Sequence, residues 1–428
     1  MNIEFQMPTT LINWLKHHSH LNWTLADQVM VSGVNFFTNI LIARFLGLED
    51  FGRFSLLWLL ILFINSLQIA LIISPMQSIG SQQSDKAVPS YYGAVLAQQL
   101  IAGTLSFLFI YLFISASGHF FPRWQINEFA LPLAAVAFAF QTQDFLRRYL
   151  MVRGKVSWMF VNDIISYGGQ LAGLLCLSQT DFFSITTVLW TISLTSTAAI
   201  GVALLTLGTV VWQLSVFKQV TVRHWHFAKW LLSSALLERL KDSLINIIIA
   251  TVLSVAAVGA LKACQNIIGV THVLLLALQN IVPVKAGQYY REGGNRLLSV
   301  YLRKVALFGG GLMIGIALIL GGLPAFWIEL FYGDEFITYS YLLSWLAIIY
   351  VIGFFKLPLG IGLRVKEFTR PIFSSLFWTS LLQILSIYPL ALYFGLHGVM
   401  LGGLLAAIVQ VALLLSFYKS VMDYAKTT

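Results

Sequence analysis

Charge is what this sequence has least of, and cysteine comes next. Aspartate, glutamate, lysine and arginine make up 10% of the 428 residues, where soluble chains carry about 25%. That scarcity excludes an ordinary soluble globular protein. The two cysteines, Cys176 and Cys264, sit far apart in apolar segments and form no CxxC pair, which excludes a disulfide framework and a cysteine metal centre. Walker loops, nucleophile elbows and HExxH helices are missing too, so the common enzyme signatures are absent. The net charge is +9, yet no soluble basic module exists to meet a nucleic acid; the excess reads as membrane topology instead. The opening MNIEFQMPTTLINWLKHHSH lacks a basic start, a long apolar core and a small-residue cleavage site, and so is no signal peptide. Leu11, Ile12, Trp14 and Leu15 beside Lys16, His17 and His18 make residues 1–22 an amphipathic segment at a membrane surface rather than a metal site.

What is abundant is hydrophobic length. With 58% hydrophobic residues and a mean hydropathy of +0.82, apolar runs of helical length recur from end to end, the pattern of an all-α polytopic membrane protein. Twelve spans are predicted, at about 23–46, 51–73, 91–117, 128–147, 157–178, 184–209, 230–253, 258–283, 303–328, 337–358, 371–394 and 398–418. Counting lysine and arginine by loop puts twenty of the 26 on the side of both termini. Four fall on the other side: Arg44, Arg53, Arg123 and Lys262. The positive-inside rule therefore places the N- and C-termini in the cytoplasm. The outer loops are short and acidic, which argues against an enzyme with a large external catalytic loop.

The chain also repeats itself. Ile42-Ala43-x-x-Leu46-x-x-x-x-Phe51-Gly52-x-Phe54 returns 207 residues later as Ile249-Ala250-x-x-Leu253-x-x-x-x-Val258-Gly259-x-Leu261. Asn39 maps onto Asn246 and Glu128-Phe129 onto Glu335-Phe336, while Arg153-x-Lys155 recurs as Arg364-x-Lys366. Two six-helix bundles related by a pseudo-twofold follow, as in transporters built from parallel repeats. The expected layout is a bundle over 23–211, a basic cytoplasmic linker over 212–229, a second bundle over 230–418 and a cytoplasmic tail over 419–428. The linker, with Phe217, His224, Trp225, His226 and Phe227, should lie on the inner leaflet.

Chemistry concentrates in a few helices. The seventh span, WLLSSALLERLKDSLINIIIATVL, holds Glu238, Arg239, Lys241 and Asp242 inside a segment of membrane length, where charge is expensive and usually functional. Two readings stand open for it. The first is a substrate site, in which Arg239 and Lys241, with Arg147 and Arg148 at the end of the fourth span, bind a diphosphate. The second is an internally neutral ladder of Glu238–Lys241 and Arg239–Asp242 pairs. Asp27, Asp163, Glu238 and Asp242 are the carboxylates that could bind a proton or sodium ion or balance charge; no other cofactor is implied. In the first span Gln28, Ser32, Asn35 and Asn39 share one helical face. With Asn246, Gln265, His272 and Gln279 they would line a hydrated path for sugar hydroxyls.

Three stretches then resemble one family. They are Leu41–Phe54 (LIARFLGLEDFGRF), Asp144–Lys155 (DFLRRYLMVRGK), and Ala257–Asn266 (AVGALKACQN) with Ala277–Pro283 (ALQNIVP). They resemble the polysaccharide transporters, or O-antigen flippases, of the multidrug/oligosaccharidyl-lipid/polysaccharide exporter superfamily. The resemblance implies two bundles that alternate between inward- and outward-facing states. It implies an undecaprenyl-diphosphate-linked oligosaccharide as substrate, membrane lipids and envelope polysaccharide polymerase or chain-length proteins as partners, and a bacterial inner membrane as location. Lys262, early in the eighth span, departs from what such a helix would favour. Rival readings are a drug/cation antiporter of the same superfamily and an envelope polymerase or ligase. A lipid II flippase is related, but that family usually adds two further spans.

Overall fold

The computed structural model describes residues 19–427, apart from positions 81 and 121; the amphipathic segment expected over 1–22 lies almost wholly outside them. Among the described residues every regular element is helical. The fifty-residue helix Ser19–Gln68 is split at Gly47, whose φ of 78° and ψ of 177° are open to glycine and costly for any other residue. Its arms are α1 (19–46) and α2, which runs on through the π-helical turn Ile69–Ile73 to Gly80. Then come α3 (Val88–Phe120), α4 (Ala130–Val152), α5 (156–177, with a π turn at Ile164–Gly168) and α6 (Ile185–Leu204). α7 is Leu214–Val252, and α8 (255–292) and α9 (295–322) part at Gly293–Gly294. α10 covers 341–365 and adjoins the short helix Pro324–Tyr332, and α11 (370–394) and α12 (396–427) part at Gly395. That makes twelve long helices, the number expected. Eight stretches among the described residues are long and apolar enough to cross a membrane, several holding two of these helices.

The chain forms two compact units. The first holds residues 1–46 and 57–240, the second residues 47–56 and 241–428. This division differs in two places from the expected halves. The turn after α1 clusters with the second unit, and the cut falls inside α7 rather than before it. Linker and seventh span are one continuous helix, because nothing between Leu214 and Val252 breaks the pattern: no proline or glycine intervenes.

The repeat is visible in each unit's own bonding. After α4, Gly154 has φ 70° and Lys155 donates its ammonium to the carbonyl of Thr206, 2.5 Å away, just past α6. After α10, Glu367 has φ 66° and Lys366 donates to the carbonyl of Val421 at 2.9 Å, near the end of α12. Each lysine ties the fourth helix of its half to the sixth. Burial holds the Lys366 ammonium below its usual pKa. Glycines that match in the repeat meet in the second unit. A Cβ on Gly52 would lie 2.2 Å from the Val255 carbonyl oxygen, and one on Gly259 would lie 2.4 Å from that of Leu48 and 2.9 Å from the Gly52 amide. Beside this crossing Phe51 packs against Tyr332 and Phe336. Arg53 closes the turn on Asp50 at 2.5 Å and Glu49 at 2.6 Å.

The first part of α7 docks on the first unit through Val220, His224 and Ala228, spaced at i, i+4 and i+8 and all buried. His224 Nε2 lies 3.0 Å from the Tyr91 hydroxyl. Lys218, Arg223, Trp225 and His226 stay exposed on the other face. Burial, and then the neighbouring Arg223 charge, lower the His224 pKa from 6.5 to about 4.

Two predictions follow from these contacts. Gly52→Ala and Gly259→Ala each drive a methyl into backbone, at a cost of about 1–3 kcal/mol, whereas Gly201 has open space around it. Melting of the detergent-purified protein should drop for the first two and hold for Gly201→Ala. For His224, the fold keeps the imidazole neutral while the opened chain takes up a proton below pH 6.5. Stability conferred by this docking is therefore full above pH 6.5, declines as the pH falls from 6.5 toward 4, and loses about 3 kcal/mol at most. His224→Gln, which cannot titrate, should flatten that part of a melting-versus-pH curve; an unchanged slope would show that another group controls it.

Candidate functional site

Each unit carries its own polar cluster. In the first, Arg147 on α4 is held between two carboxylates. Its Nη2 donates to Asp27 Oδ2 on α1 at 2.6 Å and its Nε donates to Asp163 Oδ2 on α5. Asp27 is 2% exposed and Asp163 is 0% exposed. One turn away Arg148 pairs with Asp144 at 3.1 Å. Three carboxylates thus face two guanidinia, one acid more than the cluster has cations to pair it.

Amides extend the network. Gln143 donates to Asn162 at 2.8 Å and to Asp163 at 3.0 Å, and Asn162 anchors to the Ala199 carbonyl on α6 at 2.8 Å. On the other side Asn65 donates to Asp144 at 3.3 Å, and Gln68 donates to Gln99 at 2.8 Å and to the Gln141 carbonyl at 2.7 Å. Each π turn begins right after one of these residues: Ile69 after Gln68, Ile164 after Asp163. A π turn adds one residue to a helical turn and re-aims the side chains around it, and here it sits where the network needs that freedom. Asp27 Oδ1 and Gln143 Oε1 are buried without a hydrogen-bond partner among the described residues.

The polar stripe of α1 faces the other way. Gln28 and Asn35 are exposed and Ser32 and Asn39 half-buried; Gln28 donates to Ser32 at 3.2 Å and Asn39 to the Asn35 carbonyl at 2.8 Å. Asp27, one position from Gln28, points inward. Within this unit the polar residues thus divide: the α1 stripe expected to line a hydrated path stays partly accessible, whereas those of α4 and α5 form the unit's own core. Arg147 in particular has its guanidinium taken by Asp27 and Asp163, so it is an internal ligand rather than a free diphosphate contact. Arg148 is half-buried beside Asp144.

In the second unit Lys241 lies 3.7 Å from Asp242, the one ion pair made along this stretch of α7 among the described residues. Asn246 is buried; its amide donates to the Asp242 carbonyl at 2.7 Å while its Oδ1 has no partner. From α10, Tyr350 meets His272 of α8 at 3.4 Å and lies within electrostatic reach of Asp242. Half-buried Lys356 lies within reach of Lys241 and has no carboxylate at ion-pair distance among the described residues. Gln265 accepts from Lys262 at 3.1 Å, which gives that unexpected lysine a partner within its own helix. Gln279 is exposed. On α7, Glu238 is exposed and Arg239 half-buried.

Sequence reasoning did not single out Asn65, Gln68, Gln99, Asn162, Tyr350 or Lys356. Asn162 stands next to Asp163, and Asn65 and Gln68 interrupt the second span, so a signal existed for these three. Lys356 was counted with the loop cations; it lies instead between two turns of α10, within a stretch of spanning length.

The first cluster yields a direct test. Arg147→Met strands two buried carboxylates, and breaking a buried pair in this way costs about 3–5 kcal/mol. Adding Asp27→Asn and Asp163→Asn should restore most of the loss, read as melting temperature in detergent. A wild-type melting curve for Arg147→Met alone would rule out a charged cluster.

Comparison with known proteins supplies the rest. The MatE family model matches residues 233–388. No curated protein matches. Among solved structures, an inward-facing multidrug resistance MATE family transporter of the MOP superfamily superposes with a TM-score of 0.73 at 15% identity, covering 92% of this chain and 95% of that one. The lipid II flippase MurJ in an inward closed conformation gives 0.69 at 15% identity, over 93% and 87%. A MOP superfamily transporter from Pyrococcus furiosus gives 0.64 at 15% identity, over 93% and 94%. The all-helical chain, with twelve long helices among its described residues, has a MATE-like transporter fold.

Proposed function

We propose that this protein is a flippase that moves an undecaprenyl-diphosphate-linked oligosaccharide across a bacterial inner membrane for O-antigen or exopolysaccharide synthesis, working by alternating access with both termini cytoplasmic. The observation that carries this reading is half-buried Lys356, within a helix of membrane-spanning length and with no carboxylate at ion-pair distance among the described residues. A lysine left unmatched there favours an anionic partner, and a lipid diphosphate supplies one. Arg239 adds a guanidinium on the same helix as Lys241. His272, Tyr350, Gln279 and the α1 stripe offer hydrogen bonds of the kind sugar hydroxyls accept and donate. Lys356 joins Arg239 and Lys241 as a diphosphate contact, and Arg147 moves to the ion-coupling group with Asp27 and Asp163.

The excess negative charge around Arg147 supports coupling to a proton or sodium ion, since either would neutralise the cluster. It also favours a second reading, a drug/cation antiporter, because a buried carboxylate surplus is what a cation needs. The substrate-side lysines weigh the balance toward an anionic cargo.

Reconstitution in proteoliposomes decides between them. Turnover of a labelled polyprenyl-diphosphate saccharide should fall roughly 10- to 100-fold in Lys356→Gln, the range expected for one lost charged hydrogen bond, and at least as far in Arg239→Ala. Wild-type turnover in both variants would overturn the site. Absence of any turnover by the wild-type protein, with efflux of cationic dyes instead, would establish the antiporter.

A further inference from the structure

Away from either cluster, the second unit has a groove of about 500 Å³ between α9, α10 and α12. Leu302, Pro358, Leu359 and Leu415 give it apolar walls. Its floor is closed by tight packing: a Cβ on Gly362 would lie 2.5 Å from the Tyr418 ring and 2.9 Å from Leu302. At its mouth stand Arg303 and Lys419, both exposed and neither paired with a carboxylate among the described residues. Ser299 and Tyr418 hydroxyls, 3.4 Å apart, lie beside them. Lys366 holds this end of α12 through the Val421 carbonyl at 2.9 Å, which fixes the register of Tyr418 and Lys419.

The adjoining parts of α9 and α10 also bear Arg296, Lys304 and Arg364. An apolar trough capped by unpaired cations and two hydroxyls is complementary to one kind of molecule, a phosphate-headed lipid with its chain along the helices. Basic pockets between spanning helices on the Lys/Arg-rich side of a membrane recognise such headgroups. Two sources share the chemistry, the bulk anionic phospholipid and the polyprenyl phosphate carrier. The groove takes the first. Its mouth lies near the ends of membrane-length helices, and its wall residue Leu415 is 39% exposed, so a bilayer lipid reaches it sideways.

We infer that the groove between α9, α10 and α12 binds an anionic phospholipid of the surrounding leaflet, with its phosphate on Arg303 and Lys419 and an acyl chain against Leu302, Leu359 and Leu415. This site is independent of the proposed cargo. The lipid bridges three helices, and it would stabilise the second unit where that bundle has a gap in place of side-chain packing.

Native mass spectrometry of the full chain tests it. The protein would be released from micelles containing equal amounts of phosphatidylglycerol, phosphatidylcholine and undecaprenyl phosphate. Wild type should retain phosphatidylglycerol in preference to the other two. Arg303→Gln/Lys419→Gln should weaken that retention roughly thirtyfold, each cation near a headgroup contributing about one decade or less. Leu359→Trp, which fills the trough and keeps both charges, should also displace the lipid. Equal retention of phosphatidylcholine, or unchanged retention in both variants, overturns the site. Preferential retention of undecaprenyl phosphate overturns the phospholipid assignment in favour of the carrier.

Discussion

Everything polar in this chain is arranged around one difficulty, that a charge inside a bundle of apolar helices has no water to solvate it. The Asp27–Arg147–Asp163 bridge is the most complete answer the molecule gives. One guanidinium, with donors fixed in a plane, reaches two carboxylates on two other helices, and a lysine could not satisfy both with the same geometry. The bridge ties α1, α4 and α5 together, and the amides of Gln143, Asn162, Gln68 and Gln99 carry the bonding on to α6, α2 and α3. A network of this kind is stabilising only when nearly every member is satisfied. Here one carboxylate lacks a matching cation.

The second unit solves the same difficulty differently. Among its described residues there is no buried bridge of comparable reach; Lys241 and Asp242 are adjacent in sequence and 3.7 Å apart, a weak pair. Lys356 is left over. The first unit thus packs a carboxylate-rich cluster and the second leaves a lone lysine, although the two halves follow the same order of helices and share the lysine tie from fourth to sixth helix.

How far the sequence could be read depends on the range of the interaction concerned. Helix number was readable because bilayer thickness and the 1.5 Å rise per residue impose a period on the whole chain. The repeat was readable at Gly52 and Gly259, because a crossing that admits no Cβ leaves only one residue type, and at Lys155 and Lys366, because a buried ammonium needs a carbonyl at a set distance. The direction of a polar face was not readable. Gln28 and Asp27 are neighbours on α1, yet one is exposed and the other 2% exposed; helical spacing says they differ by a fraction of a turn and cannot say which side another helix will cover. The two π turns are a further reason, since each shifts the register of everything after it and no periodicity argument anticipates them.

The same limit explains the reassignment of Arg147 and Lys356. Seen in one dimension, Arg147 and Arg148 end a span and look available, while Lys356 belongs to a basic loop. The difference between a spent cation and a free one is the presence of an acid on another helix, 120 residues away for Asp27 and Arg147. Composition holds no record of that pairing. Counting acids against bases does not recover it either: the first unit holds twelve cations and eight acids and the second fourteen and nine, so both are basic by count. The pairing seen in the folded chain is what separates the two: Arg147 is spent on Asp27 and Asp163, whereas Lys356 has no carboxylate at ion-pair distance among the described residues.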